Sequence, residues 1–169
     1  QFQMKVGTGV AVDLARISAV TAALEPHEVL AADANTAWSR FEAMQIAAAV
    51  GDLPLAIEQP CLRYDECLAV RPHLRRPMIL DEVMDSRDAI RRGAADGAMD
   101  IINLKISRFG GLTGARTTRD LCLDLGIGMT IEDTWGGEIV TSAIAHLAAS
   151  TPAAAHFLSL IHISEPTRH

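Results

Sequence analysis

The sequence is poor in several features that would assign it to a particular class of protein. Only 4% of its 169 residues are aromatic, and no apolar run approaches the roughly 20 residues of a membrane-spanning helix. It has no long run of lysine and arginine, and its formal net charge is −6. These absences argue against a membrane-spanning protein. They also argue against nucleic acid or an anionic membrane as the partner.

Cysteine is scarce as well. The three cysteines, Cys61, Cys67 and Cys122, are odd in number and lack the spacing of a zinc site, which indicates reduced thiols. The first residues, FQMKV, have the pattern of a strand and not of a signal peptide. We therefore expect a cytoplasmic protein.

Aliphatic residues are abundant, and they recur in alternating strand and helix patterns. Apolar residues make up 49% of the chain, which predicts one globular domain of helices packed on a parallel sheet. The six predicted strands are FQMK, VLAAD, PLAIE, MILD, IINLK and GMTIE. Helices are predicted after them, over residues 10–24, 39–50, 64–71, 86–95, 113–125 and 139–149. The fold class is therefore α/β, with about six βα units.

A charged residue ends each of the first five strands, at intervals of about 25 residues: Lys5, Asp33, Glu58, Asp81 and Lys105. An open doubly wound sheet and a (β/α)8 barrel both fit the alternation. In an open sheet a few strands at the switch point supply the site, whereas in a barrel all strand ends face one mouth. The five charges favour the barrel. Because a full barrel takes roughly 250 residues, we expect a partial one.

These five residues predict a metal site flanked by two bases. Three carboxylates, from Asp33, Glu58 and Asp81, suit Mg²⁺, although each carboxylate alone has the alternative role of capping the following helix. A lysine beside a cation acts as a base near neutral pH, the alternative being a salt bridge to neighbouring carboxylates. Together they indicate removal of a proton from the carbon next to a carboxylate, with the metal stabilising the enediolate.

Five motifs carry a resemblance to a known family. They are Q-M-K at 3–5, D-A-N at 33–35, E-Q-P at 58–60, D-E at 81–82 and N-L-K-x(4)-G-G at 103–111. In order and spacing they resemble the barrel domain of the enolase superfamily, in its mandelate racemase/muconate lactonizing enzyme branch. That resemblance implies Mg²⁺ as the cofactor, with Asp33, Glu58 and Asp81 as its ligands and Lys5 and Lys105 as the two acid/base residues.

The resemblance also implies roles for the neighbours of these residues. Asn35 and Glu82 resemble groups that orient the metal ligands. Gln3 stands where many members have the first lysine of a Lys-x-Lys pair. That residue usually assists the reaction as a polar or charged group, whereas here it is a neutral amide. The family's N-terminal capping domain is absent from this sequence, and the resemblance implies a homo-oligomer acting on a small-molecule carboxylate.

The segment E-D-T-W-G-G at 132–137 narrows the expected substrate. It resembles the segment in members that act on proline derivatives, the hydroxyproline betaine epimerases and cis-3-hydroxy-L-proline dehydratases. Trp135 at a strand end is suited to pack on a cationic ring nitrogen, and Glu132 or Asp133 to offset the charge. The alternative is that Trp135 fills the barrel rim and Gly136 and Gly137 only turn the chain.

The expected function is therefore racemisation, epimerisation or dehydration of a proline-type amino-acid derivative. One alternative is a muconate-type cycloisomerase or a dipeptide epimerase with the same residues. Another is an inactive fragment. Residues 1–157 are predicted to form the incomplete barrel domain. Residues 158–169 contain LSLIHISEPTR, which resembles a translated sequencing adapter, and they are expected to be a non-native tail.

Overall fold

The structure is a computed structural model that describes residues 2–133 and 136–158. The chain divides into two compact units, Gln1–Ile102 and Asn103–His169. Each unit repeats the same alternation of parallel strand and helix, which is the predicted α/β pattern.

The first unit holds four complete βα repeats. Its strands are β1 (Phe2–Lys5), β2 (Leu30–Asp33), β3 (Leu55–Glu58), β4 (Met78–Leu80) and the start of β5 (Ile101–Lys105), paired in chain order and all parallel. Its helices are α1 (Val10–Thr21), α2 (Arg40–Val50), α3 (Tyr64–Val70) and α4 (Arg87–Asp96), with a 3₁₀ turn at Arg71–His73 after α3.

Local sequence explains where these elements lie. Every residue of β2, β3 and β4 is buried, as expected for parallel strands that are apolar on both faces. Ser39 begins α2 with a capping box, since its hydroxyl accepts from the Glu42 N–H and the Glu42 carboxylate accepts from the Ser39 N–H. Ser86 caps α4 with its hydroxyl alone, which accepts from the Ala89 N–H at 3.2 Å. Gly97 ends that helix in the left-handed conformation.

The register of the strands decides which side chains meet. Lys5 is opposite Asp33, Asp33 is opposite Glu58, and Glu58 is opposite Ile79. The carboxyl ends of the first three strands are therefore level, and their last side chains share one edge of the sheet. Asp81 follows directly after β4.

The second unit contains the end of β5, then α5 (Leu112–Leu125), β6 (Gly128–Glu132), α6 (Gly137–Ala149), a 3₁₀ turn at Ala153–Ala155 and β7 (His156–Leu158). The last strand pairs in parallel with β6, Met129 lying opposite His156. The strand β7 was not predicted. Its three residues are too few to show an alternating pattern, and the predicted domain end at residue 157 falls inside it.

In the part of the chain that the structure describes, no helix has the length and apolar character needed to cross a membrane.

Candidate active site

The ends of β1, β2 and β3 form a polar cluster in the first unit. Asp33 and Glu58 are 1% and 3% exposed, whereas the Lys5 side chain is 61% exposed. The Lys5 ammonium donates to Asp33 Oδ2. Gln3 Nε2 donates to Glu58 Oε2 at 2.9 Å and lies 3.4 Å from Asp33 Oδ2. Gln3 thus links two of the predicted metal ligands, so the amide at this position is a direct partner of both carboxylates.

Asn35, one of the predicted orienting residues, contacts both Asp33 and Glu82. The Asn35 N–H donates to Asp33 Oδ1 at 2.8 Å, and Asn35 Nδ2 donates to Glu82 Oε1 at 3.3 Å. Asn35 has a φ of 41°, a left-handed conformation in which asparagine is enriched. The turn after β2 therefore orients the Asp33 carboxylate through its own backbone.

The third predicted ligand, Asp81, is 1% exposed. Its backbone N–H donates to Gln59 Oε1 at 2.9 Å. Sequence reasoning did not single out Gln59. It lies inside the E-Q-P motif, directly after a predicted ligand, but a glutamine before a proline gives no sign of a contact with Asp81.

The donor set suits magnesium in its chemistry. Three buried carboxylates near the ends of three successive strands offer the oxygen ligands that Mg²⁺ prefers. Within residues 2–133 and 136–158, no three acidic, histidine or cysteine side chains lie close enough to hold a metal ion. In the described geometry, Gln3 and Lys5 donate to the oxygens of Asp33 and Glu58. The ligand assignment stays a prediction.

The second unit places another lysine against a carboxylate. Lys105 Nζ lies 3.4 Å from Glu132 Oε1, and their side chains are 16% and 7% exposed. Asp133 accepts from the Ser107 N–H at 2.9 Å and from its hydroxyl at 2.5 Å, so it holds the turn that follows β5. Trp135, the predicted ring-packing residue, lies outside the described residues.

Lys5 and Lys105 are the only two lysines in the sequence, the other basic side chains being arginines and histidines. Both stand at the end of a strand, and both contact a buried carboxylate. Arginine does not lose its proton in proteins, whereas lysine does so readily when its environment favours the neutral amine. Both lysines, which can gain and lose a proton as arginine cannot, thus lie at strand ends.

Parallel βα repeats with charged side chains at the carboxyl ends of the strands define a class of barrel enzyme. The sequence matches the family described as "Enolase C-terminal domain-like" over residues 1–165. The chain belongs to that family, as the motifs predicted.

Individual relatives agree with this assignment. The chain is 54% identical over 152 residues to a cis-3-hydroxy-L-proline dehydratase of Roseibium aggregatum, an alignment covering 90% of this chain and 41% of the relative. It matches the crystal structure of a mandelate racemase/muconate lactonizing enzyme from Roseovarius nubinhibens ISM with a TM-score of 0.91 and 43% identity, covering 95% of this chain and 44% of that one.

A second Roseovarius nubinhibens ISM structure, an enolase superfamily member complexed with magnesium, matches with a TM-score of 0.88 and 34% identity, over 96% of this chain and 45% of that chain. The chain therefore spans less than half the length of the relatives it matches. The predicted family and the predicted fold of βα units from an enolase-type barrel are confirmed.

Proposed function

We propose that the full-length protein is a Mg²⁺-dependent enzyme that removes the proton next to the carboxylate of a proline-type amino-acid derivative. The outcome is dehydration, or epimerisation at the same carbon. The observation that carries this proposal is that the only two lysines of the sequence both contact buried carboxylates at strand ends. The 54% identity to a cis-3-hydroxy-L-proline dehydratase supports the substrate class.

Each residue of the site has a proposed role. Asp33, Glu58 and Asp81 would hold Mg²⁺, which stabilises negative charge on the substrate carboxylate when bound. A neutral lysine accepts the proton and an ammonium returns one, so Lys5 and Lys105 serve as the base and the acid. A proton removed from one face of the carbon by one lysine and returned to the other face by the second lysine inverts that carbon.

The remaining residues would bind the substrate and organise the ligands. Gln3 and the Asn35 N–H donate to the ligand carboxylates, and Glu82 accepts from the Asn35 side chain and so holds that residue in place. Glu132 ends β6 and Asp133 follows it, in the segment that resembles members acting on proline derivatives. We assign these two acids, with Trp135, to the cationic ring nitrogen of the substrate.

The substrate class, the cellular location, the oligomeric state and the limits of the native segment are part of the same proposal. A small carboxylate is the substrate, and the full-length protein works as a cytoplasmic homo-oligomer. Residues 1–157 are the native barrel segment and 158–169 a non-native tail. Light scattering of the purified protein gives its oligomeric state, and a genomic sequence that continues through residue 169 would contradict the tail assignment.

The test is exchange of the α-proton with deuterated water, followed by NMR on cis-3-hydroxy-L-proline and hydroxyproline betaine. Lys105→Ala is expected to slow exchange by about 10²- to 10⁴-fold, the usual contribution of a positioned acid or base. Lys105→Arg keeps the charge and is expected to be equally slow. Arg91→Ala, on the exposed side of α4, is the control and leaves exchange unchanged. Normal exchange in Lys105→Ala would refute the proposal.

The same spectra separate the possible reactions. Loss of water identifies a dehydratase, and inversion without loss of water identifies an epimerase. Turnover of muconate or of dipeptides, with proline derivatives left untouched, would instead identify a cycloisomerase or a dipeptide epimerase.

A further inference from the structure

Gln59 has an unusual backbone for a buried residue. It is 0% exposed and has a φ of 33°, in the left-handed region that residues other than glycine seldom adopt. It stands directly after Glu58 and before Pro60. Such a conformation persists only where the surrounding contacts determine it, and it is found most often near functional sites.

The left-handed turn redirects the Gln59 carbonyl. The Gln59 N–H continues the β3–β4 ladder by donating to the Ile79 carbonyl at 2.9 Å. The next bond of a parallel ladder would run from the Asp81 N–H to the Gln59 carbonyl. That carbonyl instead accepts from the Thr36 N–H at 2.9 Å, on the β2 side. Backbone pairing between β3 and β4 therefore stops one bond short of Asp81.

The side chain of Gln59 supplies the missing bond. Its Oε1 accepts from the Asp81 N–H at 2.9 Å, so the side-chain carbonyl takes the place of its own backbone carbonyl. At the other end of the amide, Nε2 donates to the Cys61 carbonyl at 2.9 Å and lies 3.7 Å from Cys67 Sγ. Because both ends of the amide are held, it cannot rotate away from Asp81.

We propose that Gln59 is a positioning residue that sets Asp81 as a magnesium ligand. The inference rests on the proposed function, since it takes Asp81 as a ligand. Through its backbone and its amide, Gln59 ties the turn after β2, the end of β3 and the start of the turn after β4. Asp33, Glu58 and Asp81 flank these same three points, so one buried residue links the backbone segments that carry the three carboxylates.

The first variant is Gln59→Met in the full-length protein. Methionine has nearly the same length and no amide, so it removes both side-chain hydrogen bonds. Removing the outer partner of a metal ligand weakens metal binding by about 10- to 100-fold, and we expect a loss in that range. Isothermal titration calorimetry with MgCl₂, without substrate, measures it. Gln45→Met makes the same substitution at an exposed position of α2 and is expected to bind Mg²⁺ normally.

Activity provides a second readout. If Gln59 acts by placing Asp81, Gln59→Met raises the Mg²⁺ concentration for half-maximal proton exchange, and kcat recovers to within a few-fold at saturating Mg²⁺. A residue that only fills the core would lower the thermal unfolding temperature and leave the Mg²⁺ affinity of the folded protein unchanged. That second result overturns the inference.

Gln59→Gly keeps the test valid if the methionine variant fails to fold. Glycine adopts positive φ without strain, so the backbone bonds to Ile79 and Thr36 persist while the amide is lost. Weak Mg²⁺ binding is again expected, and normal binding would refute the inference.

Wild-type protein that binds Mg²⁺ without exchanging protons would refute the proposed function but not the role of Gln59. Normal Mg²⁺ binding in Gln59→Gly, with exchange lost in Lys105→Ala, would refute the role of Gln59 but not the proposed function.

Discussion

Asp13 is a buried carboxylate whose partners all lie in the first unit. It is 0% exposed and accepts from the Gly7 N–H at 2.8 Å, from the Thr8 hydroxyl at 2.9 Å and from Trp38 Nε1 at 2.9 Å. Burial alone raises the pKa of a carboxyl, but these hydrogen bonds outweigh it and hold the pKa of Asp13 below its ordinary value of 3.8. Asp13 therefore fixes the turn that follows Lys5.

Asp13→Asn is predicted to lower the free energy of unfolding by roughly 1–3 kcal/mol, because a buried amide cannot accept from all of these donors. A depressed pKa contributes stability that is fully present above the unfolded value and is lost as the pH falls through the folded one. The difference between wild type and Asp13→Asn should thus shrink below about pH 3.8. Urea unfolding at several pH values measures it, with exposed Asp124→Asn as the control. A constant difference down to strongly acidic pH would contradict this account.

The residue types in the sequence identify only some of the side chains that organise the site and the turns around it. Lys5 and Asp33 could be predicted because a charge at the end of an apolar run is visible in the sequence. Asp13 and Gln59 could not, since an aspartate in the first turn of a helix and a glutamine before a proline have common local roles. Their importance comes from partners far along the chain, Trp38 for one and the Asp81 N–H for the other.

At the scale of the element, strands were predicted more accurately than helix ends. Each of the six predicted strands is present, because a buried parallel strand is a short apolar run with a polar residue at its end. Helix α1 ends at Thr21 and not at residue 24. The Ala23 and Leu24 N–H groups bond to carbonyls three residues back, those of Val20 and Thr21. This tightening of the last turn satisfies terminal backbone groups, and hydrophobic periodicity does not reveal it.

Helix α5 contains a glycine that alanine should not replace. In an exposed helix interior, glycine to alanine gains about 1 kcal/mol. A Cβ on Gly114 would lie 1.7 Å from the Phe109 carbonyl oxygen, and a backbone carbonyl cannot move aside as a side chain does. Gly114→Ala is therefore predicted to destabilise the protein by about 1–3 kcal/mol, the usual cost of overpacking.

The matched control is Gly93→Ala in α4. Its Cβ would lie 2.5 Å from Met99 Sδ, and the flexible end of a methionine adapts to such a change. We expect a smaller loss than for Gly114→Ala when both are measured by urea unfolding with circular dichroism. Equal stability of Gly114→Ala and wild type would show that the Phe109 carbonyl can shift.

At the scale of the whole molecule, the cysteines report on each unit separately. Cys61 and Cys67 lie in the first unit and Cys122 in the second, and all three are 0% exposed. Burial raises the pKa of Cys122 to about 12. The hydrogen bond with Cys67, together with burial, also raises the pKa of Cys61. The hydrogen bond with Cys61 lowers the pKa of Cys67, so burial alone protects that thiol, whereas Cys61 and Cys122 are also held in the unreactive thiol form. We predict that all three resist alkylation in the native protein because none is exposed. Rapid labelling without denaturant would contradict this.

Because buried thiols react only after the protein around them unfolds, their labelling can test the proposed metal site. The proposed ligands Asp33, Glu58 and Asp81 all belong to the first unit. Mg²⁺ held by them, and bound only by the folded protein, would stabilise that unit by about 2.7 kcal/mol at a hundred times its dissociation constant. In urea, the midpoint for labelling of Cys61 and Cys67, located by mass spectrometry, should therefore rise with MgCl₂. Glu58→Gln removes one ligand charge and should abolish most of that rise. If the Mg²⁺-dependent rise is the same in Glu58→Gln and wild type, Glu58 is not a ligand. The labelling of Cys122 then shows whether the added stability is confined to the unit that holds the carboxylates or extends to the unit that holds Lys105.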